Sequence, residues 1–447
     1  MAEVPEAGST PDADVVALCA ALIRFDTTNR GQGDCEGERE AAEFVAAHLT
    51  GSGLEPVLLE SAPRRSNVVV RVPGADRSLP AVLVQGHLDV VPAVAEDWTV
   101  PPFAGEIRDG YLWGRGAVDM KDLCAGTLSV LRHWSRAGLR PRRDVVVAFV
   151  ADEEDNGDYG ADWLVQHHAG LFDGCAAAIG ESGGFTFGGP DSPVRLYPVG
   201  TAERGTLHLR LSATGRAGHA SRPNPSNAVV AIVRTLERIA SHEWPVHLTP
   251  AVAAYLRGAA DALGVAADLD DLSTVDELVA KLGRAGTLAA ATVRISSTPT
   301  GLAAGGKVNV IPSTASALVD VRTLPGTADE VLSVIDSMLE PTVERHILAR
   351  RDAVAAPMDT PWFHAMADAL RAEDPEAVVL PYCLGGGTDA KAFSSLGIAC
   401  YGFAPLRAPL DPTEYDYRAM AHGVDERIPL DGLRFGARVL DRFLRTV

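Results

Sequence analysis

The sequence lacks the features that mark secreted, membrane-spanning or disulfide-stabilised proteins. It contains no Cys-x-x-Cys pair, and its six cysteines are scattered over 447 residues. This favours buried free thiols over disulfides or cysteine metal ligands, because cytosolic thiols stay reduced. No apolar run approaches the roughly 18 residues that a membrane-spanning helix needs. The N-terminal "MAEVPEAGSTPDAD" also lacks the basic start and apolar core of a signal peptide. We therefore expect a cytoplasmic protein that does not bind membranes.

Positive charge is sparse as well. The formal net charge is −19, and no Lys/Arg cluster is dense enough to follow a phosphate backbone, so nucleic acid is not an expected partner. The composition, 47% hydrophobic and 22% charged, is that of a folded globular protein. Because 447 residues exceed what one hydrophobic core usually supports, we expect two domains.

Short β-branched runs alternate with helical stretches in the first part of the chain. "NVVVRVPG", "AVLVQGHLDVVP" and "DVVVAFVADEE" are apolar strands, and helical segments such as "LCAGTLSVLRHWSRAG" separate them. Uninterrupted apolar strands alternating with helices are typical of a mostly parallel sheet covered on both faces. The sequence therefore predicts an α/β domain with such a sheet.

The pattern changes near residue 195. "TLHLRLSATG" alternates in polarity, "SNAVVAIVRTLERIAS" is helical, and "KVNVIPSTASALVDVRTLPG" alternates again. This indicates an inserted α+β domain at 196–326, with extra helix at 251–291. Helical periodicity returns after Pro325, so we expect residues 327–447 to rejoin residues 1–195 in the first domain.

Candidate chemical groups recur where the predicted strands end. His87 and Asp89 follow one strand, two residues apart, which places both side chains on the same side. A lone histidine here would more often be a core residue. The pairing favours a metal ligand, because a metal-bound imidazole usually donates its second N–H to a carboxylate.

Further carboxylates follow at intervals of about 30 residues, the length of a strand-helix-strand unit. Asp119 precedes a helix and alone would be read as its N-cap. Glu153 and Glu154 follow "DVVVAFVAD", and Glu181 follows "AAAIG". We interpret Asp152 and Asp155, on either side of the glutamates, as ordinary polar flankers.

Convergence at one sheet edge favours a joint role for these groups, because active sites of open α/β sheets lie there. Buried carboxylates without partners are very costly, and no arginine or lysine adjoins Glu153 and Glu154 in the sequence. Oxygen ligands with a few imidazoles suit two divalent ions such as Zn, Co or Mn. A second histidine is then needed, and His422 is the candidate.

These residues lie in motifs that resemble a known family. "GHLDVVP", "WTVPPFAGEIRDGYLWGRGAVDMKD", "ADEE", "IGES", "GHASRP" and "AHGVDE" are similar to motifs of the dinuclear zinc peptidase and amidase family. That family includes glutamate carboxypeptidase, aminoacylase, succinyl-diaminopimelate desuccinylase and acetylornithine deacetylase. The resemblance implies that His87 and Glu181 hold one metal ion, that Glu154 and His422 hold the other, and that Asp119 bridges them.

The resemblance also implies catalytic roles. Glu153 is expected to be the general base and Asp89 to orient His87. The domain at 196–326 is expected to be a lid and dimerisation domain, so the protein is expected to form a homodimer. His219 of "GHASRP" would reach the partner subunit's site and polarise the scissile carbonyl. From the sequence alone it is a loop histidine before a proline turn.

Asn309, Arg322 and Thr388 occupy positions where family members bind a substrate carboxylate. Each has an alternative or less specific role: Arg322 shares a strand face with Asp320 and can pair with it, and Thr388 can cap the next helix. A carboxylate-binding site favours an N-acyl amino acid or short peptide as substrate.

The expected activity is metal-dependent amide hydrolysis of the aminoacylase type. A carboxypeptidase or dipeptidase, and a biosynthetic deacylase, are the alternatives. A metal-binding scaffold without catalysis is a remote one, since Glu153 and every ligand position are intact. The sequence departs from some members by having Glu181 where they have Asp, and its 251–291 stretch is longer than in the most compact lids.

Overall fold

The computed structural model of the protein describes residues 10–188 and 193–447. The α-helices are α1 (Val15–Ile23), α2 (Arg39–Gly51), α3 (Lys121–Ala137), α4 (Ala161–His168), α5 (Ala228–Ser241), α6 (Pro250–Leu263), α7 (Val275–Lys281), α8 (Gly286–Ala290), α9 (Ala328–Met338), α10 (Pro361–Glu373), α11 (Ala390–Ser394), α12 (Tyr417–Met420) and α13 (Leu430–Thr446). Within the described ranges, none of these helices has the length and apolar character needed to cross a bilayer.

The strands belong to one large sheet and three smaller ones. They are β1 (Val57–Ala62), β2 (Arg65–Val72), β3 (Ala81–His87), β4 (Glu106–Arg108), β5 (Tyr111–Trp113), β6 (Val145–Val150), β7 (Cys175–Gly180), β8 (Arg195–Glu203), β9 (Gly205–Thr214), β10 (Gly218–His219), β11 (Ser296–Ala304), β12 (Val310–Ile311), β13 (Thr314–Thr323), β14 (Val343–Arg351), β15 (Val354–Ala355), β16 (Ala377–Leu384), β17 (Ala399–Gly402) and β18 (Arg427–Pro429).

The large sheet has the order β1-β2-β6-β3-β7-β17-β8-β15, and β16 pairs with β8. Its central strands β6, β3, β7 and β17 are parallel, whereas β1, β2 and β15 pair antiparallel at its edges. The carboxyl ends of β3, β6 and β7 therefore lie side by side. This confirms the predicted α/β class with a mostly parallel central sheet.

Both faces of this sheet are covered, which explains why β6 is apolar at every position. Val145, Val147 and Phe149 pack into a core with α1, α3, α10 and α13. Val146 and Val150 point to the opposite face, where α4 and α11 cover them. A strand buried on both faces has no polar position, so its sequence is continuously hydrophobic.

A second, four-stranded antiparallel sheet has the order β11-β13-β9-β14. Alternate residues of β9, including Leu207, Leu209 and Leu211, pack against Ile232 of α5 and Ile335 of α9. The intervening residues of β9 are exposed or half-buried. This alternation is the expected pattern of a sheet with one covered face.

The division of the chain at residues 195 and 326 stays a prediction. Strand β14 lies beyond residue 326 and nevertheless pairs with β9 of the small sheet. The helices at 250–290 were expected inside the inserted domain, but they pack on β8 and β16 of the large sheet. The sequence of β14, "VERHILARR", carries little signal because most of its residues are exposed or half-buried.

The six cysteines are free, as expected from their scatter, and Cys19, Cys124 and Cys383 are buried.

Helix α13 anchors the C-terminal segment on the large sheet. Phe443 is fully buried and its ring lies 5.5 Å from that of Phe403. We expect Phe443→Ala to lower the free energy of unfolding by about 3 to 5 kcal/mol, because a truncated core phenylalanine leaves a cavity. Denaturant titration measures this change. Ile107→Ala, at a side chain that is 55% exposed, is the control and should cost less than about 1 kcal/mol; equal losses would contradict the assignment of α13 to the core.

Candidate active site

Three adjacent parallel strands deliver the central side chains of the site. His87 is the last residue of β3, Glu153 and Glu154 lie in a short 3-10 turn after β6, and Glu181 follows β7 directly. Asp119 comes from the loop before α3. The Asp119 carboxylate does not cap that helix but faces two imidazoles, so the N-cap alternative for it is not observed.

The predicted ligand atoms lie close together. His87 Nε2 is 3.1 Å from Asp119 Oδ1, and His422 Nε2 is 3.3 Å from Asp119 Oδ2. His422 Nε2 is also 3.2 Å from Glu154 Oε2. Asp119 thus stands between the two histidines, which is where a bridging carboxylate has to be.

Two overlapping groups have the arrangement needed to hold a metal ion. The first is His87, Asp119 and Glu154, and the second is His87, Glu153 and Glu181. The candidate ligand atoms within each group all lie within 4.8 Å of one another. The second group contains Glu153, which the sequence resemblance gives to catalysis and not to metal binding.

The electrostatics of the site call for positive charge. Burial, reinforced by the charge of Glu181, raises the pKa of Glu153 well above its ordinary value. Burial also raises the pKa of Glu154 and of Glu181. Hydrogen bonds to Asp119 and Glu154 raise the pKa of His422 to about 10. Negative charge is therefore crowded where little solvent can stabilise it.

The residues present fit two divalent metal ions. Glu154 Oε1 is buried and has no hydrogen-bond partner among the described residues. An orphaned buried carboxylate oxygen is costly unless a cation or donor meets it. The set consists of carboxylate oxygens and two imidazoles without a thiolate, which suits Zn, Co or Mn. The side chains able to hold ions are His87, Asp119, Glu154, Glu181 and His422.

Asp89 supports both His87 and the glutamate turn. His87 Nδ1 lies 2.9 Å from the Asp89 carbonyl oxygen and 3.6 Å from its carboxylate. The carboxylate accepts hydrogen bonds from the backbone N–H groups of Glu153 and Glu154, each at 3.2 Å, and from Asn29. Asp89 therefore sets the position of His87 relative to both glutamates.

Asp152 is not the ordinary flanker that we expected. It is buried, has a left-handed backbone conformation, and accepts hydrogen bonds from Arg65 at 2.6 Å and Asn29 at 3.1 Å. Arg65 also pairs with the buried Glu38 at 3.0 Å. The polar sequence around Asp152 suggested a solvated turn, but residues that are distant in the sequence enclose its side chain. Asp155 accepts a hydrogen bond from the Gln32 backbone N–H at 2.6 Å, so it also holds a neighbouring loop.

Glu426 is a further supporting residue that the sequence reasoning did not single out. It is fully buried, pairs with Arg115 at 2.6 Å, and accepts backbone hydrogen bonds from Val118 at 2.7 Å and Asp119 at 3.2 Å. Burial raises its pKa to about 7. Glu426 therefore fixes the loop that presents Asp119. In the sequence, its position four residues after His422 was the feature that could have identified it.

A cavity of about 440 Å³ opens above these residues. Its walls include Glu153 and Glu181 on one side and Thr206, His208 and Arg322 of the small sheet on the other. The small sheet therefore contributes directly to the site. Its role as a lid stays a prediction.

Two of the three predicted substrate-binding residues line this cavity. Arg322 does so while pairing through two nitrogens with Asp320. Thr388 donates a hydrogen bond to Glu203 at 2.8 Å and accepts one from the Ala390 backbone N–H. Both alternative contacts are thus present, and both side chains still border the cavity.

His219 and Asn309 lie elsewhere and are exposed: His219 belongs to the ribbon formed by β10 and β12, and Asn309 directly precedes β12. The Ala220 N–H donates to the Asn309 carbonyl at 3.1 Å, which joins the two segments. The Ser221 N–H donates to His219 Nδ1 at 3.2 Å, so the proton of the neutral ring lies on Nε2. In that tautomer His219 can donate a hydrogen bond from Nε2, but it does not line this cavity.

Other cavity residues were missed because their sequence contexts are ordinary. Lys391 pairs with Glu203 at 2.7 Å, and Arg351 bonds to Asp162 and to the Asn156 carbonyl. Burial raises the pKa of Asp389 to about 8. Only the tertiary contacts bring these charged side chains to one cavity.

The chain is similar to known proteins over most of its length. Residues 83–446 match the model of peptidase family M20/M25/M40. The chain is 34% identical over 178 residues to the N-fatty-acyl-amino acid synthase/hydrolase PM20D1 of Xenopus tropicalis, covering 39% of this chain and 34% of that protein. It is 26% identical over 390 residues to the mouse protein of the same name, covering 84% of this chain and 75% of that protein.

A solved structure shows the same fold. The M20 family metallo-carboxypeptidase Sso-CP2 from Sulfolobus solfataricus superposes with a TM-score of 0.71 at 16% identity, covering 97% of this chain and 98% of that one. The chain spans about a third of the Xenopus relative, so that relative supports the family and not a shared substrate. The family match, which extends over most of the chain, confirms the resemblance: the protein belongs to peptidase family M20/M25/M40, a family of hydrolases.

Proposed function

We propose that the protein hydrolyses the amide bond of an N-acyl amino acid or short peptide, with Glu153 as general base and two divalent ions, most simply zinc, as cofactors. The observation that carries this proposal is that Glu153 lines one cavity together with His422, further carboxylates and Arg322. The buried imidazole of His87 lies directly behind it, with Nε2 3.9 Å from Glu153 Oε2. Cobalt or manganese would suit the same ligands.

Glu153 and the bound ions have different proposed roles in the hydrolysis. When bound, divalent ions supply positive charge that acidifies water and polarises a carbonyl oxygen. The carboxylate of Glu153 accepts a proton from the attacking water and delivers it to the leaving amine nitrogen. Glu153 Oε2 lies 3.9 Å from His87 Nε2, so this base sits beside the ligand set. The turn that carries Glu153 is held by Asp89, which limits its movement.

Arg322 and Thr388 are proposed to bind the substrate carboxylate. Arg322 is held by Asp320 and Thr206, so its guanidinium is presented in a defined orientation. Recognition of a carboxylate beside the scissile bond favours an N-acyl amino acid, with a carboxypeptidase, dipeptidase or biosynthetic deacylase as the alternatives. A metal-binding scaffold without catalysis is disfavoured, because it would have no use for a general base such as Glu153 beside the candidate ligands.

His219 and Asn309 are proposed to act on the partner subunit's site in a homodimer. Exposed apolar residues lie near them on the same unit: Val308 is fully exposed, and Leu302 of the edge strand β11 is 57% exposed. Such side chains are suited to burial against a second copy. The cytoplasmic location expected from the sequence stays a prediction.

A release assay tests the proposed reaction. Purified protein with added Zn, Co or Mn should release free amino acid from N-acyl amino acids or dipeptides, and Glu153→Gln should lower kcat by about 10² to 10⁴ because the general base is lost. Metal content should be unchanged. Glu55→Gln, at an exposed site, is the control. Full turnover by Glu153→Gln would remove this residue from the mechanism.

Elemental analysis tests the ligand set. Glu154→Ala or His422→Ala should lower the number of bound divalent ions per chain, because each removes a proposed ligand of one ion. His364→Ala, at an exposed histidine, should not. Full metal occupancy in both ligand variants would refute the assignment.

Subunit mixing tests the role of His219. His219→Ala and Glu153→Gln homodimers should each be nearly inactive. After subunit exchange, each mixed dimer contains one site with both groups intact. It should therefore recover up to about half the activity of a wild-type dimer, as expected if His219 polarises the carbonyl across the interface. No recovery, despite exchange verified by native mass spectrometry, would argue against action between subunits.

A further inference from the structure

A second cavity, of about 350 Å³, adjoins the first at the candidate ligands. Asp119, Glu181, Ser182, Leu384 and Gly386 border both cavities. A substrate whose scissile bond lies beside Asp119 and Glu181 would therefore place one half in each cavity.

The two cavities differ in chemistry. The first is bordered by three cationic side chains, Arg322, Arg351 and Lys391, each of which also pairs with a carboxylate of this chain. The second is bordered mainly by aromatic and aliphatic side chains, which include Phe185, Leu288, Tyr382, Ala404 and Tyr417. Among the described residues that border the second cavity, Arg418 is the one cationic side chain.

One wall of the second cavity comes from the helical 251–291 segment, through Thr287, Leu288 and Ala291. The Tyr255 hydroxyl donates to the Ala285 carbonyl at 2.8 Å, which ties α6 to the start of α8. Leu288 packs on the large hydrophobic core. This wall is thus attached to the sheet that carries the ligands.

The opposite wall is formed by Phe185 and Tyr417, whose rings stack with centroids 4.0 Å apart. Two polar contacts join the walls. Arg284 pairs with Asp416 at 2.7 Å, and Arg418 donates to Thr287 Oγ1 at 2.7 Å. Arg418 is exposed, so its charge lies at the rim and is already engaged.

The size of the cavity favours a bulky occupant. A cavity of about 150 Å³ lined by apolar side chains binds benzene. The second cavity, at about 350 Å³, is more than twice as large and can therefore accommodate a correspondingly larger acyl group. An acetyl group would leave most of it unfilled, and a dicarboxylic acyl group would bring a charge among aromatic rings and beside Asp119 and Glu181.

We propose that the second cavity is the acyl pocket of the enzyme, and that it selects a bulky apolar acyl group such as octanoyl over acetyl or succinyl. The proposal rests on the amide hydrolysis proposed above and names the substrate class of that site. The 251–291 segment is then a specificity element, because it supplies Leu288 and Ala291 to the pocket.

A substrate series tests the selectivity. With N-acetyl-, N-butanoyl-, N-hexanoyl-, N-octanoyl- and N-succinyl-L-leucine as probes, kcat/KM should rise by up to about fourfold per added methylene until the pocket is filled, because each methylene leaves water. N-Succinyl-L-leucine should be a poor substrate. Equal rates for all chain lengths, or a preference for acetyl or succinyl, would overturn the proposal.

A matched pair of variants tests the pocket itself. Ala290 and Ala291 are both exposed, but only Ala291 borders the cavity. Ala291→Trp therefore adds a large ring at the cavity, whereas Ala290→Trp adds the same ring outside its lining. Ala291→Trp should lower the ratio of kcat/KM for octanoyl over acetyl by at least about tenfold, since small changes of volume in an apolar pocket discriminate to this extent. Ala290→Trp should leave the ratio unchanged. Similar ratios in the two variants would contradict the assignment.

Binding distinguishes failure of this proposal from failure of the proposed reaction. If no probe is hydrolysed with any of the three metals, hydrolysis of N-acyl amino acids is refuted, and calorimetry of N-octanoyl-L-leucine then tests the pocket alone. Binding to Ala291→Trp at least about tenfold weaker than to Ala290→Trp would support the pocket. Equal binding, or none to the wild-type protein, would overturn it.

Discussion

Electrostatic repulsion among carboxylates that are largely removed from solvent is the constraint on which the rest of the structure depends. Asp119, Glu153, Glu154 and Glu181 converge where β3, β6 and β7 end, and burial raises the pKa of each of the three glutamates. Two imidazoles supply only part of the charge that such a group requires. A site with this composition favours divalent cations, and the surrounding fold holds the carboxylates close enough together to bind them.

The fold meets this constraint with buried supports outside the candidate ligand set. Asp89 links His87 to the glutamate turn, Arg65 holds Asp152 below that turn, and Glu426 fixes the loop of Asp119. These contacts join segments separated by up to about 300 residues of chain, so the site is a property of the whole large sheet. Preorganised ligands of this kind lose little conformational freedom when they bind an ion.

The sequence predicted the parts of the site that follow strands. The apolar runs before His87, Glu153 and Glu181 identified neighbouring parallel strands, whose carboxyl ends meet at one edge for geometric reasons. The sequence did not predict burial or strand formation where these depend on a partner that is distant in the chain. Asp152 reads as a solvated residue until Arg65 and Asn29 enclose it, and β14 reads as polar because only its pairing with β9 reveals a strand.

By itself the sequence determined the α/β class and the family, through the strand periodicity and the order of its motifs. Only the tertiary structure decided which charged groups share a cavity, that His219 lies outside this cavity, and that the 251–291 segment packs on the large sheet beside the candidate ligands. The physical reason is that periodicity and motif spacing record local geometry. Burial, hydrogen-bond partners and cavity walls arise from segments that approach one another only in the folded chain.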